Sequence, residues 1–180
     1  MDPVLGKQLF YWFVESQGDP SSDPLLLWLN GGPGSSSVGY GFFLEHGPFK
    51  VQPDEETLKA NPYAWNRDAN IIYLESPAGV GFSSSANPEG LSTNDAITAN
   101  DTYAFLENWF ELFPEYRGVN DFYVTGESYG GHYVSFRVAS CAVYVRGGGR
   151  SSEHSFRCEP LLNSIPSARP RTPIPQQTLK

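Results

Sequence analysis

Cysteine is nearly absent from this 180-residue chain: there are two, Cys141 and Cys158, both late in the sequence. Their spacing fits no zinc-ligand pattern, so a structural zinc cluster is excluded, and a disulfide between them and two separate thiols both stay open. No cofactor or metal is expected. No stretch approaches the ~18 apolar residues that cross a bilayer, so no membrane span is expected. Residues 1–7 show no charged start followed by an apolar run, so no signal peptide is expected either. Cations are scarce where most of the sequence lies. Residues 1–134 hold 5 Lys+Arg against 18 Asp+Glu, a net −13, while residues 135–180 hold 7 against 2, a net +5. An acidic body repels phosphate, and the basic tail has no interleaved aromatics, so nucleic acid is not an expected partner. A sign change this sharp marks a boundary, placed here between residues 134 and 135.

Apolar residues are plentiful, at 39%, and aromatics reach 14%. That is enough to build a core and excludes disorder of the whole chain. Residues 7–15, aromatic and β-branched, predict a strand. Residues 17–24 (Gln-Gly-Asp-Pro-Ser-Ser-Asp-Pro) predict a turn. The unbroken apolar run Leu25–Leu29 predicts a buried strand feeding the loop Asn30-Gly31-Gly32-Pro33-Gly34. Residues 68–75 and 121–125 predict two more strands. Between these lies a helix, capped by Thr93 or Asn94, with Ala99, Tyr103, Leu106, Phe110 and Phe113 at helical spacing and Pro114 as its stop. Strand, helix, strand with short connections predicts an α/β fold with a mostly parallel central sheet. After Ser135 the periodicity fades. A helix is expected to run on toward Val145, then Gly147-Gly148-Gly149 breaks it. Four prolines between Pro166 and Pro175 leave a flexible tail.

Gly126-Glu127-Ser128-Tyr129-Gly130 fits G-x-S-x-G. With a strand before it and a helix after it, the Ser sits at the apex of a sharp turn, and the flanking glycines let strand and helix approach. The alternatives are a nucleophile or a plain tight turn. The Asn30–Gly34 loop can supply a backbone amide to an oxyanion, paired with the amide after the nucleophile; the natural pair is Gly32 and Tyr129. It can also be a simple glycine turn. A Walker-type phosphate loop would need a Lys after the last Gly, and three serines stand there instead.

Three segments in this order resemble the signatures of serine carboxypeptidases, which are α/β-hydrolase exopeptidases of acidic vacuolar, lysosomal and secreted settings. They are Trp28–Gly34, Glu75–Ser83 and Gly126–Val134, and residues 61–66 and 112–116 match as well. The loop at 37–41 is most similar to plant members. The resemblance covers about residues 6–134. It implies an α/β-hydrolase fold and a peptide substrate, with Ser128 as nucleophile and Gly32 and Tyr129 as oxyanion amides. It also implies that Asn30, Glu45 and Glu127 bind the substrate's free C-terminal carboxylate, with Trp28 steadying them. Two carboxylic acids can hold a carboxylate only when protonated, so burial and mutual repulsion are expected to raise their pKa values. The family has a Cys where Ser35 stands, so that family disulfide is not expected. The sequon Asn100-Asp101-Thr102 would be glycosylated on the secretory route.

The order Ser, Asp, His expected for this fold's triad is not met. No Asp follows Ser128, and the later histidines are His132, in the motif itself, and His154, in the tail. Family membership therefore implies a carboxypeptidase, while this chain is expected to be inactive as written. Two other readings stay open: an acyltransferase of the same fold, and a non-catalytic protein that binds peptides or partners through an open half-site.

Overall fold

The computed structural model describes residues 5–135. The expected tail, the continuation of the last helix, Cys141, Cys158 and His154 lie outside the described residues.

Among the described residues, eight strands form three sheets. They are β1 (Lys7–Gln8), β2 (Tyr11–Val14), β3 (Leu25–Leu29), β4 (Phe49–Val51), β5 (Leu58–Ala60), β6 (Asn70–Leu74), β7 (Ser84–Ser85) and β8 (Phe122–Gly126). The central sheet has the order β2-β6-β3-β8. β3 runs parallel to both β6 and β8, and β2 runs antiparallel to β6. The apolar run Leu25–Leu29 sits inside this sheet, as a strand buried on both faces must, with Leu25 and Leu27 fully covered. β6 is buried along its whole length.

One helix, α1 (Asp95–Leu112), covers a face of the sheet. Asn94 caps it by accepting from the Ile97 amide at 2.9 Å, and Pro114 follows its end. Its buried stripe is Thr98, Ala99, Thr102, Phe105, Leu106, Trp109 and Phe110, of which Phe105, Leu106, Trp109 and Phe110 share a core with Leu27, Leu29, Ile72, Leu74 and Val124. Each large side chain fully covered here stabilises the fold by roughly 1.5–3 kcal/mol. Lys7 reaches α1 from β1 and pairs with Asp101 at 2.7 Å, with both side chains largely buried.

Two expectations needed correction. The strand expected over 7–15 is two strands in different sheets. At the break, Phe10 donates its amide to Ser83 Oγ at 2.8 Å and accepts from the Glu75 amide at 2.9 Å, so the chain changes partners there. The segment after the glycine loop is not loop but a wide, π-type helix, Ser37–His46. Gly39 and Gly41 give it poor helix propensity, and packing decides instead. A Cβ on Gly41 would lie 2.5 Å from Trp28 Nε1, so only glycine lets this helix seat on β3.

Candidate active site

β3 and β8 are parallel neighbours, so the loops that follow them emerge at one edge of the sheet, side by side. The loop after β8 is a nucleophile elbow in form. Ser128 has φ +55°, a left-handed conformation that costs a non-glycine residue about 1–3 kcal/mol and persists only where surroundings enforce it. The enforcement is visible. A Cβ on Gly126 or Gly130 would collide with the Leu29 carbonyl, and the Gly130, Gly131 and His132 amides close turns onto Glu127, Ser128 and Tyr129. Residues 130–135 open a helix directly after the elbow. Ser128 is exposed at the surface.

The glycine loop meets the elbow more closely than expected. A Cβ on Gly31 would lie 2.5 Å from the Tyr129 amide nitrogen and 3.0 Å from Ser128 Cβ. Gly31, which sequence reasoning passed over, is thus the contact point between the two loops. Gly32, with φ +106°, stands exposed beside it. The signal in the sequence was the doubled glycine, of which the first fits the contact and the second the turn.

Asn30 is buried and its amide has a fixed direction. Oδ1 accepts from Trp28 Nε1 at 2.7 Å and from the Gly41 amide at 3.1 Å. Both donors lack any acceptor capacity, so Nδ2 must face the other way. It donates to Glu45 Oε1 at 3.2 Å and to Glu127 Oε1 at 3.4 Å. Residues from three elements (β3, the Ser37–His46 helix and the elbow) therefore converge on one amide. Burial holds the Glu45 carboxyl above its usual range, against the lowering effect of the Asn30 hydrogen bond, and the nearby Glu127 charge adds to the rise.

Trp28 is itself braced. The His46 ring meets its edge at 4.2 Å, stacks on Trp65 at 4.2 Å, and is hydrogen-bonded through Nδ1 to Tyr73 Oη at 3.1 Å. Sequence reasoning missed His46, since nothing in Glu45-His46-Gly47 marks it as interior. Tyr129 is held at its far end, where its hydroxyl donates to Asp95 at 3.1 Å, and His132 stacks on its ring. Asn100 lies exposed on α1.

The serine carboxypeptidase family model matches residues 2–144. This chain belongs to the serine carboxypeptidase family. It is 57% identical over 132 residues to serine carboxypeptidase-like 26 of Arabidopsis thaliana, covering 72% of this chain and 29% of that protein. Against serine carboxypeptidase-like 26 of Oryza sativa subsp. japonica it is 54% identical over 137 residues, 74% of this chain and 28% of the relative. Among solved structures, Kex1(delta)p, a prohormone-processing carboxypeptidase from Saccharomyces cerevisiae, superposes with a TM-score of 0.68 at 30% identity, over 78% of this chain and 30% of that one. The fold is therefore that of an α/β-hydrolase, and the chain spans under a third of the length of the relatives it matches. Among the described residues no helix is long and apolar enough to cross a membrane.

Proposed function

We propose that this serine carboxypeptidase-family chain carries the nucleophile, oxyanion and carboxylate-recognition parts of a peptidase site, acting on the C-terminal residue of peptides at acidic pH. The observation that carries the reading is the Asn30 amide, locked by Trp28 and Gly41 so that its donor side faces two carboxyl groups. That arrangement suits a free carboxylate bound when at least one acid carries a proton. In the reaction, Ser128 Oγ attacks the carbonyl carbon of the last peptide bond and gives its proton to a general base. The oxygen that gains negative charge is received by the Gly32 and Tyr129 amides. The C–N bond then breaks, the amine leaves with that proton, and water later cleaves the acyl ester. A serine hydrolase of this fold passes the proton to a His; the one His after Ser128 among the described residues, His132, stacks on the Tyr129 ring, so the base is not assigned to it. Without a base the serine is a weak nucleophile, and these 180 residues taken alone are read as binding peptides with negligible turnover.

The same reading divides the chain into a family domain over 1–134 and a tail over 135–180, although the family match runs past that boundary to residue 144. It assigns an acidic vacuolar, lysosomal or secreted setting, with the exposed Asn100 as glycan acceptor there. An acyltransferase on the same fold is the second reading; the carboxylate-facing amide favours the peptidase.

Calorimetric titration with N-acetyl-L-phenylalanine and its C-terminal amide tests this at pH 5. The acid is expected to bind at least about tenfold more tightly, as charge-assisted hydrogen bonds do, and Asn30→Ala to remove the difference. Affinity should fall as pH rises through the elevated titration of Glu45, because the ionised acid repels the ligand. Equal binding of acid and amide, or affinity that climbs with pH, would overturn the reading. Rapid labelling of Ser128 by a fluorophosphonate would overturn the negligible turnover.

A further inference from the structure

Glu75 begins the second family segment, yet neither the nucleophile nor the carboxylate site uses it. It follows β6 directly and is 1% exposed. Its main chain is pinned on both sides. The Glu75 amide donates to the Phe10 carbonyl at 2.9 Å, and its own carbonyl accepts from Ser83 Oγ at 2.6 Å. The backbone of Gly81 lies so close to the carboxyl group that a Cβ there would collide with it, which walls the group in. Oε2 has no hydrogen-bond partner among the described residues. Oε1 has one, and it is specific: Ser36 Oγ at 2.7 Å. The proton direction follows. Ser36 Oγ also sits 2.7 Å from the Gly39 amide, which can only donate, so the hydroxyl accepts from Gly39 and donates to Glu75.

Ser36 closes the loop that begins at Asn30. Its neighbour Ser35 donates back to the Gly31 carbonyl at 3.0 Å, and Ser37 Oγ accepts from the Asn30 amide at 3.1 Å. The consecutive serines thus fasten the loop in two directions, Ser37 to its own first residue and Ser36 sideways to the strand next door. A buried carboxyl with a single side-chain donor is an expensive thing to keep in a core. Leucine would fill the space without that cost, so the hydrogen bond to the loop is what the group contributes.

We infer that Glu75 is a positioning residue: through the Ser36 hydroxyl it fixes the loop that presents the Gly31 contact and the Gly32 amide to the elbow. The inference rests on reading Gly32 as an oxyanion donor. Glu75 acts on the glycine loop and has no direct bond to the carboxylate-facing amide, since Asn30 Oδ1 is locked by Trp28 and Gly41.

The test is amide hydrogen exchange by NMR on the full 180-residue chain and on Glu75→Gln, Glu75→Leu, Ser36→Ala and the Glu75→Leu/Ser36→Ala double variant. Glu75→Leu and Ser36→Ala should each speed exchange of the Ser35 amide about tenfold or more, as local opening does when a fixing hydrogen bond is lost. The double variant should behave as Ser36→Ala alone, which already loses the bond to Glu75 together with the one from Gly39. Glu75→Gln, which keeps Oε1 as acceptor, should restore protection. Exchange at Leu27 in β3 and Ile72 in β6 should stay unchanged, and in the Glu75 variants affinity for N-acetyl-L-phenylalanine should move by less than about twofold, because Glu75 has no bond to the Asn30 amide. Faster exchange spread evenly over β3 and β6, or additive effects of the two single changes, would overturn the inference. If Glu75→Leu does not fold, Glu75→Met decides, since it removes the acceptor with little change of shape and leaves the Gly39–Ser36 bond in place. Failure of the wild-type chain to bind N-acetyl-L-phenylalanine would count against the carboxylate reading alone, leaving the exchange pattern to judge Glu75.

Discussion

Lowering the pH from 7 to 4 should unfold this chain partly through one buried imidazole. His46 is enclosed by Trp28, Trp65 and Tyr73, with Nδ1 hydrogen-bonded to Tyr73 and Nε2 buried without a partner among the described residues. Burial opposes the imidazolium and takes its pKa from 6.5 down to about 4. In the unfolded chain the ring protonates as pH falls through its ordinary value, while the folded chain resists until about 4. Between those values the unfolded state binds one more proton. The stability contributed by the neutral ring is therefore whole above the unfolded pKa and is lost progressively as pH falls toward the folded one. At 1.36 kcal/mol per unit the full loss is about 3 kcal/mol. That is a large share of a typical 5–15 kcal/mol. Urea denaturation followed by tryptophan fluorescence from pH 4.5 to 7 should show it. His46→Leu should reduce the slope of stability against pH near pH 5 by about 1.4 kcal/mol per unit, the worth of one proton. The carboxylates contribute to both proteins and cancel in the difference. An NMR titration of the His46 Cε1 proton gives the same answer directly, and a midpoint at or above pH 6 would refute the argument.

Two further outcomes test the framework. Gly31→Ala places a carbon 2.5 Å from the Tyr129 amide nitrogen, so the two loops must part; a loss of about 1–3 kcal/mol is expected in urea denaturation, together with loss of dispersion at the Gly32 and Tyr129 amide resonances. Asn94→Ala removes the α1 cap and should cost about 1 kcal/mol, with Asn94→Asp near wild type in the same assay.

Much of the central sheet was legible because its strands are continuous apolar runs stopped by Pro or Gly. Leu25–Leu29 came out as expected, and the strands expected at 68–75 and 121–125 form over Asn70–Leu74 and Phe122–Gly126. α1 was legible for a different reason: a cap, an apolar stripe and a proline stop all agreed. The Ser37–His46 helix was not, because glycines where it crosses Trp28 erase the local signal and tertiary contact supplies it. The β4–β5 hairpin was missed because its strands are three residues each and exposed throughout, so neither burial nor alternation marks them. At the site, the resemblance placed Asn30, Glu45 and Glu127 together, and the structure adds the direction of the amide. Glu45 gains a raised pKa from its surroundings, and its carboxyl remains partly open to water. His46 was invisible in the sequence, and Gly31 and Glu75 stood inside recognised segments without a mark of their roles, since each matters through a neighbour far along the chain.

The parallel pairing of β3 with β8 has a consequence for timing. Asn30 and Glu127 are 97 residues apart, and the contact of Gly31 with the elbow spans a similar length. Closing a loop of that size costs about 4 kcal/mol of chain entropy beyond a constant term. Contacts of such long range form late and slowly. Until β8 docks, Ser128 has no enforced conformation, and Asn30 has at most one of its two carboxyl partners. The assembled site therefore reports the docking of β8. A nascent chain that has already built the glycine loop, the Ser37–His46 helix and the β3–β6 pairing holds Asn30 with Glu45 alone, and the second carboxyl and the nucleophile join them together in one late step.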